Sequence, residues 1–144
     1  MLIGEYRHTI DDKKRVAIPA KFRKEIGKSV VITNGLDNCL FLYTMKEWEG
    51  VASKLGGLAM GAADSRGFNR FMLAGAVDAE VDELGRVLIP DFLREFACLK
   101  TKVVITGVHN RLEIWDDKRW TDYKARVASQ ADRLAEKLGE IGVF

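Results

Sequence analysis

One segment of this chain occurs twice. Ile10-Asp11-Asp12-Lys13-Lys14-Arg15-Val16-Ala17-Ile18-Pro19 returns 71 residues later as Val81-Asp82-Glu83-Leu84-Gly85-Arg86-Val87-Leu88-Ile89-Pro90, with five of ten positions identical. Unrelated segments of ordinary composition would share roughly one position or none. The match continues downstream: Val30-Val31-Ile32-Thr33 answers to Val103-Val104-Ile105-Thr106, Leu40-Phe41-Leu42-Tyr43 to Leu112-Glu113-Ile114-Trp115, and Trp48 to Trp120. The offset drifts from 71 to 73 and back to 72, as small loop insertions would make it. An internal duplication fixes architecture before any other signal does. It predicts an α+β chain built from two tandem, pseudo-symmetric βαββα-like units. Residues 1–55 form the first repeat, 56–76 a connecting segment with a helix, and 77–144 the second repeat ending in an amphipathic helix.

At 144 residues, each half alone is near the size where a core becomes marginal. The halves are therefore expected to pack together or to assemble with further subunits. A hydrophobic content of 47% and only two prolines fit an ordered globular chain. The longest apolar runs are far too short to span a bilayer, and no charged start with an apolar run marks a signal peptide. Cys39 and Cys98 have no Cys-x-x-Cys partner and occupy unequal places in the repeats, so both read as small buried side chains in a reduced cytoplasm.

Net charge is only +2, but it is unevenly spread. Residues 1–33 carry eight Lys and Arg against four acids, residues 34–76 balance, and residues 77–144 carry eleven against thirteen. A basic first repeat suggests a side that faces a polyanion; ordinary solvated surface charge is the plainer alternative.

Local patterns place the elements. Glu5 to Ile10 alternates as a strand, Asp11 to Lys14 is a polar turn, and Arg15 to Ile18 is a second strand stopped by Pro19. Ala20 to Ile26 reads as a helix stopped by Gly27. Val30 to Thr33 and Leu40 to Tyr43 read as strands, with Asn34-Gly35 expected to reverse the chain between them. Thr44 with Glu47 has the pattern of a helix-capping box, and Gly56-Gly57 ends that helix. Asp64-Ser65 is expected to cap a helix bearing Phe68, Phe71 and Met72. A last helix is expected to run unbroken from near Asp116 to about Leu138. Trp120, Tyr123, Val127, Leu134, Leu138 and Ile141 form its apolar stripe, which either packs on its own subunit or forms a seam against a neighbour.

The chemistry concentrates at Asp11-x-x-x-Arg15 and Asp82-x-x-x-Arg86. Each Asp opens a turn, because its carboxylate can accept backbone N–H groups two residues on. Val16 and Ile18 alternate with Arg15, and Val87 and Ile89 with Arg86, so the apolar residues face a core and the arginines face out. A planar guanidinium on a rigid turn suits phosphate or guanine, since it makes two hydrogen bonds at once. The bland alternative is an Asp–Arg pair that only braces its turn. Lys13 and Lys14 beside Arg15 favour binding, whereas Glu83 and Leu84 weaken the second copy. Two non-equivalent histidines, His8 and His109, make neither a metal set nor a catalytic group. No nucleophile motif or Gly-rich phosphate loop is present, so neither enzyme chemistry, a cofactor, a metal nor a small-molecule substrate is expected.

These segments resemble the MraZ family, bacterial proteins with two copies of the swapped-hairpin fold of AbrB-type regulators. The likeness lies in Gly4 to Asp11, in Arg15 to Arg23, in the Asp82-to-Pro90 copy and in Phe71 to Val77, and spans essentially the whole chain. It implies a small barrel-like core with flanking helices. It also implies a cytoplasmic, nucleoid-associated transcriptional regulator that binds short G-rich direct repeats of double-stranded DNA upstream of its own gene, in the division and cell-wall cluster. A ring-shaped homo-oligomer is implied as well. On this reading Arg15 and Arg86 contact bases or phosphates, Lys13, Lys14 and Arg7 supply phosphate charge, and Asp11 and Asp82 brace the turns. The family usually has Gly before the first motif arginine; this chain has Lys14. An antitoxin-like module or a purely structural ring would be the alternatives.

Overall fold

The computed structural model describes residues 1–144. Its elements run in order β1 (Leu2–Thr9), β2 (Arg15–Ala17), α1 (Ala20–Ile26), β3 (Ser29–Asn34), β4 (Leu40–Thr44), α2 (Met45–Gly56) and α3 (Ala63–Asn69). A π-helical turn, Arg70–Ala74, closes the first half. The second half follows as β5 (Val77–Glu80), β6 (Arg86–Leu88), α4 (Asp91–Phe96), β7 (Lys102–His109), β8 (Leu112–Asp116), α5 (Asp117–Ser129) and α6 (Ala131–Glu140).

The duplication is a duplication of core positions. Two sheets form: an antiparallel six-stranded sheet in the order β1-β7-β8-β4-β3-β5, and a two-stranded ribbon of β2 with β6. Seventeen buried side chains join ribbon, helices and sheet. Sixteen of them fall into eight pairs related by the sequence offset: Val16 with Val87, Ile18 with Ile89, Phe22 with Leu93, Ile26 with Ala97, Val30 with Val103, Ile32 with Ile105, Leu40 with Leu112, and Leu42 with Ile114. Leu2 is the seventeenth. Fully burying one such side chain stabilises by about 1.5–3 kcal/mol, so this apolar set is what specifies the pseudo-symmetric arrangement.

The halves interleave. β1 pairs with β7, β2 with β6, β3 with β5 and β4 with β8, so each strand of the first half hydrogen-bonds to one of the second. The two repeats therefore share one core. The expected barrel-like core takes the form of an open sheet, with β1 and β5 as its outer strands, covered on one face by the ribbon, α1 and α4. The opposite face carries a second cluster in which Phe41, Tyr43, Leu55, Met72, Val104 and Trp115 meet Trp48, Trp120 and Tyr123.

Most predicted elements form, and four local expectations are corrected. The β3–β4 reversal does not turn on Asn34-Gly35. The left-handed residues are Asp37 and Asn38, while Asn34 Nδ2 donates to the Phe71 carbonyl at 3.0 Å. Gly35 is needed for space, since a Cβ there would lie 2.7 Å from both the Cys39 carbonyl oxygen and the Phe41 ring. Asp64 and Ser65 lie inside α3, whose N-cap is Ala62 with no side-chain cap. The last helix is two helices, broken at Gln130, where φ is −115° and ψ 6°. Cys98 is exposed, at φ 51° after α4, whereas Cys39 is buried as expected. The Thr44 cap forms, its Oγ1 accepting from the Glu47 N–H at 3.1 Å.

Candidate nucleic-acid interface

Each Asp-x-x-x-Arg segment folds into the same closed turn. Asp11 Oδ1 accepts from the N–H groups of Lys13 and Arg15, both at 2.9 Å, and its Oδ2 accepts from Arg15 Nε at 2.9 Å. Asp82 repeats this, with Leu84 N at 2.9 Å, Arg86 N at 2.8 Å and Arg86 Nε at 2.8 Å. The main chain closes too: the Lys14 N–H donates to the Asp11 carbonyl and the Gly85 N–H to the Asp82 carbonyl, both at 2.9 Å. Three donors on one carboxylate favour its ionised form. The Arg15 backbone N–H, then the guanidinium and Lys13, hold Asp11 below its ordinary 3.8 against a smaller opposing effect of desolvation. Asp82 is lowered in the same way, chiefly by the Arg86 backbone N–H.

Bracing and presentation are not alternatives here. Each Asp engages the inner Nε of its arginine, and neither Nη group of Arg15 or Arg86 makes a hydrogen bond within the chain. The side chains are 26% and 29% exposed. Val16 and Val87 point into the core, so Arg15, Ala17, Arg86 and Leu88 share the outward face of the ribbon. The turns themselves sit at opposite ends of the ribbon, related by a pseudo-two-fold through the Val16–Val87 pair. The arginines lie between them. A rigid pair of outward guanidinium edges can grip two phosphates, or a guanine edge and a phosphate.

Lys13 and Lys14 are exposed at the first turn, and Glu83 and Leu84 at the second. Lys14 adopts φ 64° and Gly85 φ 77°, so the first turn keeps the shape of the second despite the missing glycine. Arg7 lies elsewhere. It stands on the sheet face toward α5, where its Nε donates to Asp117 at 3.0 Å, and it lines an edge cleft of about 500 Å³ with His8, Lys102 and Asp117. His8, half-buried on outer strand β1, is pushed below its ordinary 6.5 first by burial and then by the Arg23 charge. No three His, Cys, Asp or Glu side chains gather as a metal set. No helix is long and apolar enough to cross a membrane.

Two further arginines flank the turns. Arg94, Lys14 and Lys100 line a cleft of about 250 Å³ beside Asp11 and Asp12. Arg23 and Lys28 line one of about 540 Å³ beside Asp82 and Glu83. Arg23 and Arg94 stand at the same 71-residue offset as Arg15 and Arg86, which is the signal that could have found them in the sequence.

The chain matches the family described as "MraZ protein, putative antitoxin-like" twice, over residues 1–71 and 72–139. It is 47% identical over 143 residues to the protein named transcriptional regulator MraZ of Caldicellulosiruptor saccharolyticus, covering 99% of this chain and all of that one. Identity is 48%, with the same coverage, to the proteins of that name from Caldanaerobacter subterraneus subsp. tengcongensis and Moorella thermoacetica. Among solved structures, the solution structure of PHS018 from Pyrococcus horikoshii is 17% identical, covering 79% of this chain and 88% of that one, with a TM-score of 0.32.

Proposed function

The chain belongs to the MraZ family, and from that premise we propose that it is a non-enzymatic transcriptional regulator that binds double-stranded DNA through the outward face of the β2–β6 ribbon. The observation that carries this reading is the placement of Arg15 and Arg86 on one rigid face, each fixed through Nε with its outer edge unoccupied. Such an edge matches the O6 and N7 acceptors of guanine, which fits short G-rich direct repeats upstream of the protein's own gene in the division and cell-wall cluster. Lys13 and Lys14 supply phosphate charge at the first turn. Asp11 and Asp82 hold the turns. Arg7, tied to Asp117 on the other sheet face, is a weaker contributor.

A ring-shaped homo-oligomer would repeat this ribbon at even spacing. Sites one helical turn apart, about 10 bp, would then lie on one face of the duplex. A closed rigid ring fits a straight duplex poorly, so the ring deforms or opens, or engages through only a few subunits. In the cell this reading places the protein in the cytoplasm, on the nucleoid.

A gel-shift titration on the DNA upstream of the gene, beside a scrambled duplex, tests the reading. Tight binding to the upstream DNA alone, lost in Arg15→Ala, is expected. Equal weak binding to both duplexes by wild type and variant would overturn it and leave a structural ring as the better description.

A further inference from the structure

Each helix arginine reaches from its own repeat to the turn of the other, and Arg23 does so against a glycine. Arg23 belongs to α1 of the first half, yet it lies over the second turn: a Cβ built on Gly85 would come within 2.7 Å of Arg23 Cζ and 2.8 Å of its Cδ. Arg23 Nε donates to the Ile18 carbonyl at 3.0 Å, and the Ile18 N–H donates to the Gly85 carbonyl at 2.8 Å. Guanidinium, residue-18 peptide and Gly85 thus form one continuous contact, and Arg86 is the residue that leaves it.

The first turn repeats this arrangement with Arg94, whose Nη1 donates to the Ile89 carbonyl as Arg23 Nε does to that of Ile18, but with a lysine in place of the glycine. The Ile89 N–H donates to the Lys14 carbonyl at 2.9 Å, as symmetry requires. But Lys14 carries a Cβ where Gly85 has none. Its neighbour Arg94 also pairs with Asp91, which has Ala20 as its counterpart in the first half, so the Arg94 guanidinium is shared where that of Arg23 is not. Gly85, at φ 77° and without a Cβ, leaves the space that Arg23 occupies against the second turn.

We infer that Arg23 is a positioning residue for DNA binding, setting the direction of Arg86 through Gly85, so that the first half of the chain aims the reading arginine of the second. This rests on the DNA-binding reading above. Residues that act as one unit give non-additive losses, while independent sites add. Arg23 should therefore couple to Arg86 and not to Arg15.

The test is a double-mutant cycle on the full-length protein. Affinity for a labelled duplex from upstream of the gene is read by fluorescence anisotropy at low salt, where residual binding of every variant stays measurable. Arg23→Ala should weaken binding about tenfold in the wild-type and Arg15→Ala backgrounds, and less than about twofold in Arg86→Ala. Arg23→Lys keeps the charge and loses the plane. It should weaken binding nearly as much as Arg23→Ala, with an unchanged unfolding midpoint, and it carries the test if the alanine variant fails to fold. Equal loss in the Arg86→Ala background, full rescue by lysine, or no loss at all would each overturn the inference. If Arg15→Ala and Arg86→Ala themselves leave binding intact, it is the functional reading that has failed, and the inference falls with it.

Discussion

Arg15 and Arg86 are diagonal neighbours on one face of a two-stranded ribbon, Arg15 standing opposite Leu88 and Arg86 opposite Ala17. That register puts their Cα atoms roughly 7–8 Å apart. The spacing follows from strand exchange: the arginines are 71 residues apart in sequence and meet only because β2 pairs with β6.

Arg15 and Lys13 should therefore fail differently. Arg15→Ala is expected to cost about 1–3 kcal/mol on the upstream DNA and to relax base preference, while Lys13→Ala weakens all sequences alike. Parallel titrations on specific and random duplexes separate the two. Equal small losses on both DNAs for both variants would remove Arg15 from base contact.

Lys14 holds a conformation that glycine adopts freely. At φ 64°, Lys14→Gly is expected to stabilise the fold by about 1 kcal/mol in urea unfolding. If Lys14 also meets a phosphate, the same change should reduce the slope of log affinity against log salt by about 0.9. A stabilised protein with an unaltered slope would limit Lys14 to a turn residue.

The turn carboxylates set a pH window. Asp11 and Asp82 both titrate below 3.8 in the folded chain. A carboxylate lowered on folding contributes stability that is fully present above its ordinary pKa and is lost as pH falls through the lowered value. The turns should thus be unaffected by pH near neutrality and loosen only in strong acid. Carbon-detected NMR titration of the two side chains should give midpoints under 3.8, and a midpoint at or above that value would contradict the hydrogen-bond account.

The C-terminal stripe divides at Gln130. Trp120 and Tyr123 pack on the second apolar cluster, whereas Leu134 is 40% and Leu138 43% exposed. If α6 joins subunits in the proposed ring, Leu134→Asp with Leu138→Asp should lower the particle mass in light scattering and leave circular dichroism unchanged. An unaltered mass would take α6 out of the assembly.

The sequence shows the duplicated core plainly, because burial imposes alternation on strands and the same apolar residues recur at the same offset. α1 forms over Ala20–Ile26 as its pattern predicts, since Phe22 and Ile26 need one face and Gly27 can turn left-handed. The partners of β1 and β2 are not legible. Alternation says which face is buried, not which strand supplies the neighbouring hydrogen bonds, and a strand–turn–strand pattern reads like a simple hairpin. Asn34-Gly35 reads as the reversal because its preference is local, but Asn34 is taken by the Phe71 carbonyl. Arg23 does not stand out in the sequence, because its charge pattern matches any solvated helix and its contact with Gly85 lies in the other repeat.

The interleaved strands have a consequence for any attempt to divide the protein. A protease cut between Gly57 and Ala62 would nick the chain without releasing either piece, since four strand pairings span the break. Conversely, a shortened gene encoding residues 1–71 would make a peptide whose four strands each lack a neighbour. Such a peptide could regain those neighbours only from another copy of itself, so the smallest working unit of this architecture is always two half-chains, whether or not a linker joins them.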